Sequence, residues 1–184
     1  RNNQLLTQID NVITEESAIS NYLDYLDSTG NTERYCSVLD QHIRTQNKNL
    51  FDLLGVLEQA RQNSLTNQYS AVRKRFQAAN SQLFFSLKQF ETRCTQKEKP
   101  LIPILYFFTD TENCGDCGLQ AQILTELGKT CQQPIQVFSF PIEGGIEPIE
   151  LLVKDYNITK VPSLVIDENI LVGVQSPSKL NGQN

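Results

Sequence analysis

A chain of 184 residues with 39% hydrophobic side chains is long enough for one medium domain or two small ones. Its formal charge of −5 gives no electrostatic reason to expect nucleic acid or an anionic membrane surface as a partner. With no run of about 18 apolar residues, the chain has no segment that reads as a membrane-spanning helix. It opens on Arg1 and contains no Met, so an upstream segment is expected to be missing, whether a signal peptide, a membrane anchor or a deliberate truncation.

The five cysteines are Cys36, Cys94, Cys114, Cys117 and Cys131, and their odd number leaves at least one outside any pairing within the chain. His42 is the single histidine, which argues against a Cys/His zinc site or a Cys–His nucleophile pair.

Residues 1–95 hold no proline and two glycines, and their apolar residues recur at helical spacing. Leu5, Ile9, Val12, Ile19, Leu23 and Leu26 form one seam, interrupted by Glu16, and the turn cluster Asp27–Asn31 closes it. Cys36, Leu39, Ile43, Leu50, Leu53, Leu57 and Ala60 form a second, with Gln46 as its polar gap. After a break near Asn63–Asn67, Tyr69, Val72, Phe76, Ala79, Leu83, Leu87, Phe90 and Cys94 form a third. Steps alternating between three and four predict long helices in an antiparallel hairpin or three-helix bundle. Such a bundle serves as scaffold, spacer or docking surface, and dimerisation through it is a further expectation.

Cys36 and Cys94 lie on their seams at nearly equal distances from the break at about residue 65. With a rise of about 1.5 Å per residue, folding the two helices back brings both cysteines to one level. A disulfide there would close the open end of the hairpin and add about 4 kcal/mol at most. The alternative is a pair of buried, reduced thiols. A disulfide would favour an oxidising, extracytoplasmic compartment.

The character changes after the segment TQKEKPLIP, read as a linker over 96–103. All 7 prolines and seven of the 9 glycines lie beyond residue 99. Ile104–Phe108 suits a strand buried on both faces. Cys117–Leu127 has helical periodicity, with Gly128 as its stop. Ile135–Phe140 is a second strand, and Ile146–Tyr156 a second helix with Pro148 early, where proline is tolerated. Ser163–Asp167 and Ile170–Val174 are short strands joined at Glu168-Asn169. The expected order over 104–184 is therefore βαβαββ.

Cys114-Gly115-Asp116-Cys117 falls where the first strand gives way to the first helix. Two thiols so spaced can close a disulfide within one turn. Unpaired N–H groups and the helix dipole favour the thiolate of the first, and the second can resolve a mixed disulfide. Three arrangements fit the pair: a redox couple, a structural disulfide, or half of a metal site. The last lacks the second CxxC that would complete four ligands. Asp116 places negative charge beside the thiolate and should raise the thiol pKa relative to a neutral residue. Cys131 reads as an idle or buried thiol, Asp110 as an acid without an evident partner, and His42 as a surface or seam residue. Asn157-Ile158-Thr159 fits a glycosylation sequon that reads as chance.

Further along, YNITKVPSLVID places Pro162 directly before an apolar strand, where it cannot donate to a ladder, and Val161–Pro162 suits a cis bond. The strand–CxxC–helix start, this proline segment and the terminal hairpin together resemble the thioredoxin superfamily over roughly residues 100–175. The resemblance implies that Cys114 attacks, Cys117 resolves, and the Val161–Pro162 loop holds an extended protein substrate. It implies a thiol–disulfide oxidoreductase that needs no organic cofactor or metal but does need a redox partner. Two departures stand out: Asn113 replaces the Trp before the first cysteine, and Phe108 falls where the preceding strand carries a buried acid. They favour an alternative, a non-catalytic thioredoxin-like adaptor with a structural CxxC. The overall expectation is an α+β chain in two parts, extracytoplasmic and membrane-tethered, with a helical bundle at 1–95 and a minimal thioredoxin-like domain at 104–184.

Overall fold

In the computed structural model, residues 2–62, 66–94, 101–110, 112–132 and 134–181 are described. Side chains at 2–14, 66–68 and 181 are excepted. The break near residue 65 and most of the expected linker therefore lie outside the described residues. Three long helices come first: α1 (Asn2–Ser28), α2 (Thr32–Gln62) and α3 (Thr66–Arg93). The turn between α1 and α2 contains Gly30 at φ +70°, a left-handed position that glycine occupies without a Cβ clash.

The rest of the chain alternates strands and helices: β1 (Ile102–Phe108), α4 (Gly115–Thr130), β2 (Ile135–Pro141), α5 (Glu147–Asp155), β3 (Ser163–Ile166), β4 (Asn169–Val172) and α6 (Pro177–Asn181). The sheet runs β2-β1-β3-β4, with β1 parallel to β2 and antiparallel to β3, and β3 antiparallel to β4. A parallel βαβ unit followed by a hairpin is the thioredoxin-like arrangement. The helical N-terminal part followed by a small α/β domain of βαβαββ order is the expected fold class.

Several details differ from expectation, each for a local reason. β1 starts two residues early and includes Pro103, which pairs with Gln136 of β2. Pairing with β3 begins only at Ile104, so the missing proline N–H leaves no gap on that side. Gly128 does not stop α4; the helix runs on to Thr130, whose Oγ1 bonds Glu126 O, and Cys131 caps it through Leu127 O. The hairpin turn is Asp167-Glu168 rather than Glu168-Asn169. Both turn residues have left-handed φ, 47° and 65°, the requirement of a two-residue hairpin loop matching strand twist. α6 was not foreseen, and its Leu180 completes the core.

By packing, the chain forms two compact units. One compact unit comprises Arg1–Asn49 with Phe85–Thr95, the other Leu50–Phe84 with Gln96–Asn184. The cause is helix length: at about 1.5 Å per residue, α2 and α3 are longer than one small core is wide, so each contributes to two.

The first unit is built on Leu23, Leu26, Tyr35 and Leu39, packed around the bonded pair Cys36–Cys94 with Ile19, Val38, Ile43 and Phe90. The two polar gaps of the seams meet there: Gln46 Nε2 donates to Glu16 Oε2 at 3.0 Å, and His42 Nε2 lies 3.2 Å from the same oxygen. His42 is thus buried and paired, the seam rather than the surface alternative. In the second unit, one sheet face (Ile104, Tyr106, Leu164, Ile166) packs on Leu124 and Leu127 of α4 and Leu180 of α6. Phe138 and Phe140 of β2 are fully buried beside Phe107, and the Phe84 ring of α3 meets Phe138 edge-on at 5.5 Å. Asn80 Nδ2 of α3 donates to Ser139 O.

Candidate functional site

β1 delivers the chain to the site. Beyond Phe108, Asn113 N–H bonds back to Asp110 O at 2.9 Å, and this turn sets Cys114 at the N-cap of α4. Cys114 has non-helical backbone angles (φ −151°, ψ 88°), and no side chain caps the helix. The first-turn N–H groups are left without the usual Ser, Thr or Asp acceptor. That end of α4 therefore favours an anion, and the Cys114 thiolate would be one there beside the first-turn carboxylate of Asp116.

Cys114 and Cys117 are joined by a disulfide with Cα atoms 5.3 Å apart, and Cys117 N–H reaches Cys114 O at 3.2 Å. The two sulfurs differ in surroundings: Cys117 is 1% exposed on the inner face of α4, whereas Cys114 is only half-buried. Gly115 and Asp116, between them, are exposed. A Cβ on Gly115 would touch nothing, so the glycine is not forced by crowding; it leaves the outer side of the pair uncovered. Asp116 sits in the first helical turn, where its charge suits the helix dipole and opposes a neighbouring thiolate.

Pro162 follows a cis Val161–Pro162 peptide bond and is fully buried; Val161 is half-buried. The β1–β3 register pairs Phe107 with Ser163, so one step further Pro162 lies across from Phe108. Phe108 ends β1 on the side from which the chain passes to Cys114. The proline loop and the cysteine pair therefore occupy the same end of the sheet. Gly173 N–H holds the loop by donating to Pro162 O at 2.8 Å.

Three features were not singled out in the sequence. Tyr106, buried in β1, donates from its hydroxyl to Cys117 O at 2.6 Å, and burial pushes its pKa up to about 12. A tyrosine inside an apolar strand needs a partner for its hydroxyl, and that need was the available signal. Arg73 of α3 pairs with Asp110 at 3.3 Å, so Asp110 does have a partner. Gln120 and Gln175 bond each other inside the domain, and nothing in their spacing announces it. Phe108, in place of an acid, stacks on Tyr106 with centroids 5.2 Å apart. Cys131 belongs to neither disulfide and is half-buried, packed at the edge of the α4 core. Cys36 and Cys94 are bonded to each other in the first unit, 58 residues apart in sequence. Among the described residues no group of three or more His, Cys, Asp or Glu could hold a metal ion.

No protein family matches the sequence. No curated protein matches it either. Solved structures that resemble the chain include thioredoxin-2 of the malaria parasite, a component of its protein secretion machinery. It is 18% identical over 49% of this chain and 86% of the other, with a TM-score of 0.37. Thioredoxin from Aeropyrum pernix is 22% identical over 45% of this chain and 72% of the other, also with a TM-score of 0.37. The strand order, the disulfide at the start of α4 and the proline loop at the same sheet end make the second part a thioredoxin-like domain on their own.

Proposed function

We propose that this chain is a thiol–disulfide oxidoreductase acting on protein substrates, with Cys114 as the attacking sulfur and Cys117 as the resolving one. The carrying observation is the asymmetry of the pair: a half-buried Cys114 at an uncapped helix N-terminus, bonded to a Cys117 that is 1% exposed. In the reducing direction, the Cys114 thiolate attacks a substrate disulfide. A Cys114–substrate disulfide forms, and one substrate sulfur leaves and takes a proton from water. The Cys117 thiolate then attacks Cys114 Sγ, closing the internal disulfide and releasing the second substrate thiolate, which is likewise protonated. Two electrons pass to the substrate, and a dithiol partner protein restores the pair. The reverse sequence oxidises a substrate dithiol.

The Val161–Pro162 loop aligns the substrate backbone at the same sheet end. The Cys36–Cys94 disulfide, which has no part in this exchange, favours an oxidising, extracytoplasmic compartment. No helix among the described residues is long and apolar enough to cross a membrane.

Phe108 in place of a buried acid favours a second reading, a binding domain whose Cys114–Cys117 disulfide is structural. Insulin reduction with dithiothreitol as reductant separates the two. Turnover by the wild type that is lost in Cys114→Ser supports the oxidoreductase. A wild type that is inert, with a disulfide resisting reduction, supports the binding domain.

A further inference from the structure

The inner face of α4 carries Cys117, Gln120, Leu124 and Leu127, and Gln120 interrupts this otherwise apolar row. It is 0% exposed, one turn beyond the resolving cysteine. Its Oε1 accepts a 2.6 Å hydrogen bond from the backbone N–H of Gln175, in the segment after β4. Gln175 is itself 4% exposed, and its Nε2 donates to Val172 O at 3.0 Å and Gly173 O at 3.1 Å. The Gly173 N–H in turn donates to Pro162 O. A path of hydrogen bonds thus runs from the helix bearing the cysteines, through the end of β4, to the proline loop.

The pair satisfies one buried group and leaves others unmet. Gln120 Nε2 and Gln175 Oε1 are both buried without a hydrogen-bond partner, and each such atom costs about 1–3 kcal/mol. A leucine at 120 would continue the apolar row and remove the Nε2 orphan, but it would leave the Gln175 N–H without its acceptor. What Gln120 does provide is an acceptor, reaching from α4, for an N–H that would otherwise be orphaned in the interior. Such a bond fixes the distance between the two segments it joins, which is how buried polar contacts confer a single geometry.

We propose that Gln120 and Gln175 are positioning residues that clasp the CGDC helix to the Val161–Pro162 loop, presetting the geometry in which a protein disulfide meets Cys114. The proposal rests on the disulfide-exchange reading and assigns residues to its substrate-aligning step. A protein substrate lies along the loop while its sulfur meets Cys114, so it uses the clasp. A disulfide of a few atoms reaches Cys114 alone and does not.

The test compares the full chain with its Gln120→Met and Gln175→Ala variants in reducing insulin and hydroxyethyl disulfide, together with each variant's redox equilibrium with glutathione. Gln120→Met keeps the length but removes the acceptor. It is expected to raise KM for insulin about tenfold, with kcat, hydroxyethyl disulfide turnover and the glutathione equilibrium within about twofold of wild type. Gln175→Ala keeps the backbone N–H and loses only the side-chain bonds. It is expected to raise the same KM about threefold, and it carries the test if Gln120→Met fails to fold. An insulin KM that does not move, or both substrates slowing in parallel, overturns the clasp while leaving disulfide exchange intact. A wild type inert towards both substrates overturns the reading on which the clasp depends.

Discussion

Tyr106 shows how one hydroxyl can serve the cysteine pair without touching a sulfur. Its 2.6 Å bond to Cys117 O holds the first turn of α4 against β1, so Tyr106→Phe is expected to lower unfolding free energy by about 1–2 kcal/mol, read by urea denaturation. Burial raises the folded-state pKa to about 12, from about 10 for a phenol in the unfolded chain. A raised acid contributes its full stabilisation below pH 10 or so and loses it as pH climbs towards 12. The alkaline limb of the stability curve should accordingly flatten in Tyr106→Phe. Tyr35, raised chiefly by its own burial, would remain as a smaller source of slope. Asp116 acts at the same scale through charge alone. Asp116→Ala is expected to make the pair more oxidising by about 10–20 mV, measured by equilibration with glutathione, because a neutral neighbour no longer opposes the Cys114 thiolate. No change in potential would mean that the exposed carboxylate is fully screened.

At the scale of elements, α1 and α2 are tied by polar groups that look like flaws in the sequence. Glu16 interrupts one seam and Gln46 the other, yet the two meet at 3.0 Å with His42 alongside. Read singly, each is a defect in an apolar stripe; only the pairing of helices makes them partners. Glu16→Ala leaves His42 and Gln46 buried without that acceptor, and a loss of about 1–3 kcal/mol in a thermal or urea melt is expected. Cys36 and Cys94, by contrast, could be placed at one level from counting alone, because a fixed rise per residue turns sequence distance into height. The Cys36→Ser, Cys94→Ser double variant is expected to lose about 2–4 kcal/mol against the oxidised wild type. Equal stability would mean that the unfolded chain gains little freedom on losing the bond. Cooler signals were missed: α6 is a five-residue helix known by one buried leucine, and the hairpin turn lies one residue earlier than its composition suggested.

For the whole chain, the thioredoxin-like part was legible because strand, cysteine pair, helix and proline follow one another in sequence, each with its own local signature. The share of each long helix in a compact unit has no such local signature. Apolar spacing says that α2 and α3 are amphipathic, but not which core each stretch enters, and Leu50–Phe84 packs with the C-terminal elements. The site shows the same split. Cys114, Cys117 and Pro162 are chemically distinctive residue types in telling places, whereas Gln120, Gln175 and Arg73 gain meaning only from neighbours far along the chain. Every step proposed for the pair depends on Cys114 being the sulfur that reacts. Reduced protein, pulsed with limiting iodoacetamide at pH 7 and mapped by mass spectrometry, tests that directly. The predicted result is label on Cys114 well ahead of Cys117, with Cys131 slower than Cys114. Equal labelling of Cys114 and Cys117, or label on Cys117 first, would contradict it.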